Sequence, residues 1–170
     1  MRKSDFWFFY LLLLLVQLLV SNYLNFTPYL TLTILPVMIL CISIRVGTAG
    51  CMLIAFASGL VVDLLSEGVL GLNALALVPV ALLRNPVIRL VFGNEVFARG
   101  EDFSTSRSGF AKVSIALLLV QALFLLVYIW ADGAGTRPLW FNAARFAASL
   151  GAGFVLSLLT VPVLASDTRK

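Results

Sequence analysis

Long apolar runs, separated by short polar connections, fill most of this chain and decide the solvent in which it can fold. Of its 170 residues, 61% are hydrophobic and only 12% are charged, and the mean hydropathy is +1.05. A soluble domain typically has about 25% charged residues. The chain lacks the polar side chains to cover a surface in water, so we predict one polytopic membrane domain over residues 1–170.

The apolar runs predict an all-α integral membrane protein, a bundle of six transmembrane helices. The predicted spans are residues 6–20, 29–44, 47–64, 70–83, 111–130 and 139–165. Pro36 is expected to kink the second span, because proline removes a helical hydrogen bond. The fourth span is short, since about 14 residues at ~1.5 Å each reach only ~21 Å against an apolar core of ~30 Å. The N-terminus resembles the start of a signal peptide without a cleavage site, so we interpret it as a retained first span.

The basic residues predict the orientation, because cytoplasmic connections of membrane proteins carry an excess of Lys and Arg. With six spans and both termini in the cytoplasm, the outer connections hold Arg137, and Arg145 lies just inside span six. The inner segments hold the other basic residues: Arg2, Lys3, Arg45, Arg84, Arg89, Arg99, Arg107, Lys112, Arg169 and Lys170. The inner loop, about residues 84–112, is either a solvated connector or a docking site for a cytoplasmic partner.

The residue types argue against an enzyme. The chain has no histidine, which is the commonest general base and metal ligand, and no acid pair on one helix face or phosphate-binding glycine loop. Its two cysteines, Cys41 and Cys51, lie in or near apolar runs and are expected to act as small hydrophobic residues. We therefore expect no catalytic residues, no cofactor site and no metal site.

The stretch Ser58–Leu75 contains an acid and a glycine-rich turn within an otherwise apolar sequence. Asp63 lies near the outer end of span three, and Gly68 and Gly71 permit a tight, irregular backbone at the membrane surface. Asn73 could cap span four, hydrogen-bond across helices or contact a ligand. Gly59 lies four residues before Asp63 and places a small residue on the same helix face, where helices can approach closely.

Arg145 is the predicted partner of Asp63, because an ionised group inside a bilayer costs several kcal/mol unless it is paired or hydrated. Gly59 and Asp63 share one face of span three, and Arg145, Ser149 and Gly153 share one face of span six. We expect these faces to pack together. The alternative is that Asp63 caps a helix or lies in the headgroup zone while Arg145 extends to a lipid phosphate.

The sequence from Gly59 to Leu75, GLVVDLLSEGVLGLNAL, resembles the signature region of the rod shape-determining protein MreD family. That family shows a Gly, a few apolar residues, an Asp-Leu turn and a Gly-Leu start to the next helix. The resemblance implies a fold similar to the membrane S-component of energy-coupling-factor transporters. The structural or interaction candidates are Gly59, Asp63, Gly68, Gly71 and Asn73 in this stretch, and Arg145 as the predicted partner of Asp63.

The resemblance further implies a non-catalytic scaffold of the bacterial cell-elongation complex, located in the inner membrane. Its expected partners are an MreC-like bitopic protein, an MreB-type cytoskeletal system, a RodA-type glycosyltransferase with its transpeptidase, and the lipid bilayer. The alternative is a solute-binding membrane subunit of a vitamin-type transporter. That alternative requires a polar pocket on the outer side, where the predicted connections are short.

Overall fold

The structure, a computed structural model, describes residues 3–23, 30–44, 46–67, 69–93, 110–133 and 137–165. The helices within these ranges are α1 (Lys3–Tyr23), α2 (Leu35–Leu40), α3 (Thr48–Val62), α4 (Leu72–Phe92), α5 (Phe110–Gly133) and α6 (Leu139–Ala165). A π-helical turn, Asp63–Glu67, continues α3. No β-strand occurs in the described ranges, so the prediction of an all-helical fold is confirmed there.

Five of the helices in the described part of the chain are long and apolar enough to cross a membrane. They are α1, α3 with its π-helical turn, α4, α5 and α6. Large apolar side chains are exposed along their outer faces, among them Leu11, Leu53, Leu90 and Leu126. Such side chains are stable where they face lipid. The chain is therefore a multi-pass membrane protein.

The second apolar run does not form the continuous kinked helix that the sequence predicts. Residues Thr31–Ile34 adopt neither helix nor strand, and the following helix, α2, is only six residues long. Pro36 lies in the first turn of α2. Proline is well tolerated there, because that turn's N–H groups have no helical acceptors and the fixed φ suits the helix. Pro36 therefore begins a helix and does not kink one.

The fourth span is not short. Helix α4 comprises 21 residues, or ~31 Å at ~1.5 Å per residue, and continues through Arg84, Pro86 and Arg89. The guanidinium of Arg84 is buried and donates hydrogen bonds to the carbonyls of Leu40 (3.2 Å) and Ile42. Those bonds let a charged residue sit inside the bundle. The predicted inner loop over 84–112 therefore begins later, and its residues 94–109 lie outside the described ranges.

Helix α2 lies at the centre of the bundle. All six of its residues are buried, and it contacts each of the five long helices. Around it, α3 packs mainly on α4, α4 on α5 and α5 on α6. The short helix and the irregular segment before it thus occupy the interior, where each backbone N–H and C=O needs a hydrogen-bond partner from the protein.

Candidate functional site

Asp63 caps the N-terminus of α4. Its carboxylate is fully buried and accepts hydrogen bonds from the backbone N–H groups of Gly71 (3.0 Å), Asn73 (3.0 Å) and Ala74 (3.2 Å). The side-chain amide of Asn73 donates a fourth, at 3.0 Å. The first N–H groups of a helix have no partners within it, and the helix dipole favours a negative charge at that end. Asp63 therefore supplies the acceptor that the N-cap residue, Gly71, cannot.

Gly59 brings the two helices close enough for that cap. A Cβ atom at this position would lie 2.5 Å from the Cα of Ala74 and 2.6 Å from its backbone nitrogen. No side chain fits at that separation, so α3 and α4 are in backbone contact at Gly59. Asp63, one helical turn further along α3, then faces the start of α4.

Gly71 reverses the chain before α4. Its φ is +90°, in the left-handed region that favours glycine. The π-helical turn before it carries Ser66, whose hydroxyl donates to the carbonyl of Val62 at 2.6 Å. Gly68 lies outside the described residues. We call residues Gly59–Leu75 the α3–α4 hairpin.

The predicted pair between Asp63 and Arg145 is wrong. The predicted faces are both buried, with Gly59 and Asp63 on α3 and Arg145, Ser149 and Gly153 on α6. Each faces a different helix, however, because α3 packs on α4 and α6 packs on α5. Asp63 is paired with the start of α4, which agrees with the capping alternative.

Arg145 instead forms an ion pair with Asp132, at the end of α5. Two other guanidinium nitrogens donate to the hydroxyl of Thr31, at 2.9 and 3.2 Å. The guanidinium carbon also lies 5.8 Å from the centre of the Tyr128 ring, a distance suited to a cation–π interaction. Arg145 therefore joins α5 and α6 to the irregular segment before α2.

The backbone of that irregular segment, Thr31–Ile34, is held by side chains from other helices. Ser149 on α6 accepts a hydrogen bond from the N–H of Thr31 at 2.8 Å. Gln17 on α1 accepts one from the N–H of Ile34 at 2.8 Å and donates to the carbonyl of Leu32 at 3.4 Å. These bonds replace those that a helix would have made internally. We call Thr31–Ile34 the α2 lead segment.

Sequence reasoning did not assign these side chains to one site. The sequence feature that could have indicated them is a lone glutamine inside an apolar run, such as Gln17 or Gln121. A polar group in lipid requires a partner. Gln121 is fully buried on α5, and its side-chain nitrogen lies 3.5 Å from the carbonyl of Thr33. Nothing in the sequence placed residues 17, 33, 121 and 149 beside one another.

The charged groups described above are bonded to other parts of the protein. Asp63 is used for a helix cap, Asp132 and Arg145 for an ion pair, and Arg84 for two carbonyls at the end of α2. Cys41 and Cys51 are buried free thiols. The described residues contain no cluster of three or more His, Cys, Asp or Glu that could hold a metal ion. The chemistry visible at this site is helix capping and charge pairing.

Comparison with known proteins identifies no relative: no family model, no curated protein and no solved structure matches this chain.

Proposed function

We propose that this protein is a non-catalytic scaffold subunit of the bacterial cell-elongation complex, similar to the rod shape-determining protein MreD. In this role it helps to position peptidoglycan synthesis proteins and so to maintain cell shape. The proposal rests on the sequence resemblance over Gly59–Leu75 and on the structural use of those residues.

The observation that carries the proposal is that three distinctive residues of the α3–α4 hairpin each have a separate structural role. Gly59 permits backbone contact, Asp63 caps α4 and Gly71 makes the left-handed turn. Asp63 and Asn73 are buried, whereas four leucines of the hairpin are each more than half exposed: Leu64, Leu65, Leu70 and Leu75. An exposed set of leucines of this kind suits a protein that packs against a partner's transmembrane helix.

We further propose six membrane crossings, with residues 30–44 as the second. Thr31 contacts Arg145 near the start of α6, whereas Ile42 contacts Arg84, well inside α4. Ile34 already has helical dihedrals, so residues 30–33 at no more than ~3.3 Å each and residues 34–40 at ~1.5 Å each reach up to ~24 Å, against the ~30 Å of a bilayer core. Six crossings agree with the S-component fold, with both termini in the cytoplasm and with a bacterial inner-membrane location.

The proposed partners follow from the resemblance. The apolar face of the α3–α4 hairpin, or the leucine-rich face of α1, would receive the single transmembrane helix of an MreC-like bitopic protein. The complex would also include an MreB-type cytoskeletal system and a RodA-type glycosyltransferase with its transpeptidase. The described residues on α1 that remain exposed include Leu11, Leu15 and Leu19.

A solute-binding membrane subunit of a vitamin-type transporter is the second candidate. Transporters often bind solutes where a transmembrane helix is interrupted, and the α2 lead segment is such an interruption. The side-chain oxygen of Gln121 is buried, and among the described residues it has no hydrogen-bond partner. A solute or a water molecule could donate to it.

Co-purification from mild detergent tests these proposals. With a tag at the C-terminus, we expect a bitopic protein and wall-synthesis enzymes to be recovered with the chain. The double variant Leu64→Ala, Leu65→Ala should lose the bitopic partner, and Leu90→Ala, an exposed leucine near the other end of α4, should retain it. Recovery of ATPase subunits or of a bound small molecule would replace the scaffold proposal with the transporter one.

A further inference from the structure

Where α5 meets α6, the described residues include two guanidinium groups, those of Arg137 and Arg145, and one carboxylate, that of Asp132. A single carboxylate oxygen of Asp132 is shared by Arg137, at 3.0 Å, and Arg145. Asp132 can neutralise only one of the two guanidinium groups. A positive charge therefore remains at this end of the bundle, where the helices leave the apolar part of the membrane.

Arg137 is the group that can present this charge to a ligand. Arg145 is nearly buried and already donates to Asp132 and Thr31. Arg137 has 37% of its side chain exposed and, among the described residues, one hydrogen bond, from one terminal nitrogen to Asp132. A guanidinium carries five N–H donors in a fixed plane, so most donors of Arg137 are not used by the described residues.

The ring of Phe141 helps to orient Arg137. Its guanidinium carbon lies 5.6 Å from the centre of the Phe141 ring, which holds the planar group over an apolar surface. Trp130 and Trp140, on the two flanking helices, are both strongly exposed. Tryptophan is enriched at the level of lipid headgroups, so the charge lies at the depth of lipid phosphates.

We propose that Arg137, positioned by Asp132 and Phe141, binds the phosphate group of an anionic phospholipid. A planar guanidinium can donate two parallel hydrogen bonds to phosphate oxygens. The uncompensated charge favours a lipid with a net negative headgroup over a zwitterionic one. This inference depends on membrane insertion and not on the scaffold proposal, so the two can fail separately.

Lipid quenching of tryptophan fluorescence tests the site directly. The protein is reconstituted into phospholipid vesicles in a Trp7→Phe background, so that the signal comes from Trp130 and Trp140. Brominated phosphatidylglycerol or brominated phosphatidylcholine is then used as the quencher, and the ratio of quenching gives the relative affinity. We expect phosphatidylglycerol to be preferred about fivefold, the ratio that corresponds to ~1 kcal/mol per basic residue near a charged membrane surface.

Two variants distinguish a site from general surface charge. Arg137→Gln should reduce the preference to near one, whereas Arg137→Lys, which keeps the positive charge but lacks the planar pair of donors, should retain only part of it. An unchanged preference in Arg137→Gln, or a full preference in Arg137→Lys, would overturn the proposal. Addition of millimolar glycerol 3-phosphate separates the two sources of phosphate: a retained preference assigns the site to lipid, and its loss assigns the site to a soluble phosphate.

Discussion

The α3–α4 hairpin and the α2 lead segment both contain backbone N–H groups that lie inside the protein and have no helical partners. The two regions differ in how far along the sequence the acceptors of these groups lie. In the hairpin, the acceptor is Asp63, which lies 8 to 11 residues from the groups that it binds. In the α2 lead segment, the partners are side chains as distant in sequence as Ser149, 118 residues from Thr31. The hairpin is therefore a local structure, whereas the lead segment depends on the whole bundle.

Replacing Asp63 should produce the largest loss of stability. In Asp63→Ala, three backbone N–H groups at the start of α4 lose their acceptor, and each buried donor left unpaired costs ~1–3 kcal/mol. We expect a loss of ~3 kcal/mol or more in the free energy of unfolding, measured by detergent-induced unfolding. Asp63→Asn, which keeps one acceptor oxygen, should lose less. Equal stability of the Ala variant and the native protein would show that the cap does not stabilise the hairpin.

Gly59→Ala should have the next largest effect, because the new methyl group would overlap the backbone of Ala74. Overpacking of this kind costs ~1–3 kcal/mol. Gly151→Ala is the matched control, since Gly151 is also helical and a methyl group added there would have no atom within 4 Å. Thermal unfolding in detergent should show a lower midpoint for Gly59→Ala alone. A similar midpoint for both variants would contradict the close contact.

Ser149→Ala tests the α2 lead segment, whose backbone is held by residues distant in sequence. It removes the acceptor for the N–H of Thr31 at nearly constant volume, and we expect a loss of ~1–2 kcal/mol. Ser114→Ala is the control, because that hydroxyl donates to a carbonyl within its own helix. Hydrogen exchange should rise at residues 31–34 in Ser149→Ala and remain unchanged in the α3–α4 hairpin. Faster exchange in both regions would mean that they are not independent.

Gly71→Ala should have the smallest effect, about 1 kcal/mol, because alanine is strained in the left-handed region that Gly71 occupies. Gly47→Ala provides the comparison: Gly47 precedes α3 with a φ of −59°, which alanine adopts readily. The difference in unfolding free energy between the two variants measures the strain at the turn. No difference would show that the chain can reverse before α4 by another conformation.

The sequence predictions succeeded where the interactions join residues close in sequence, and they failed where the interactions join distant residues. The apolar runs predicted the long helices, and the stretch around Asp63 predicted an irregular turn, with a helix cap as one alternative. The pair with Arg145 was wrong, because the spacing of small residues shows which face is buried but not which helix covers it. The short fourth span was wrong for a related reason: Arg84 marks a helix end only if its charge must leave the membrane, and here it binds carbonyls of Leu40 and Ile42.

The sequence by itself determined that the chain belongs in a membrane and where most of its helices lie, because helix formation in lipid depends on the length of each apolar run. It also determined the residues of the α3–α4 hairpin, whose hydrogen bonds are local. Only the tertiary structure decided that the second run is irregular and central. An irregular backbone in an apolar interior is stable only when distant side chains replace its internal hydrogen bonds, and Gln17, Gln121 and Ser149 meet around it only after folding.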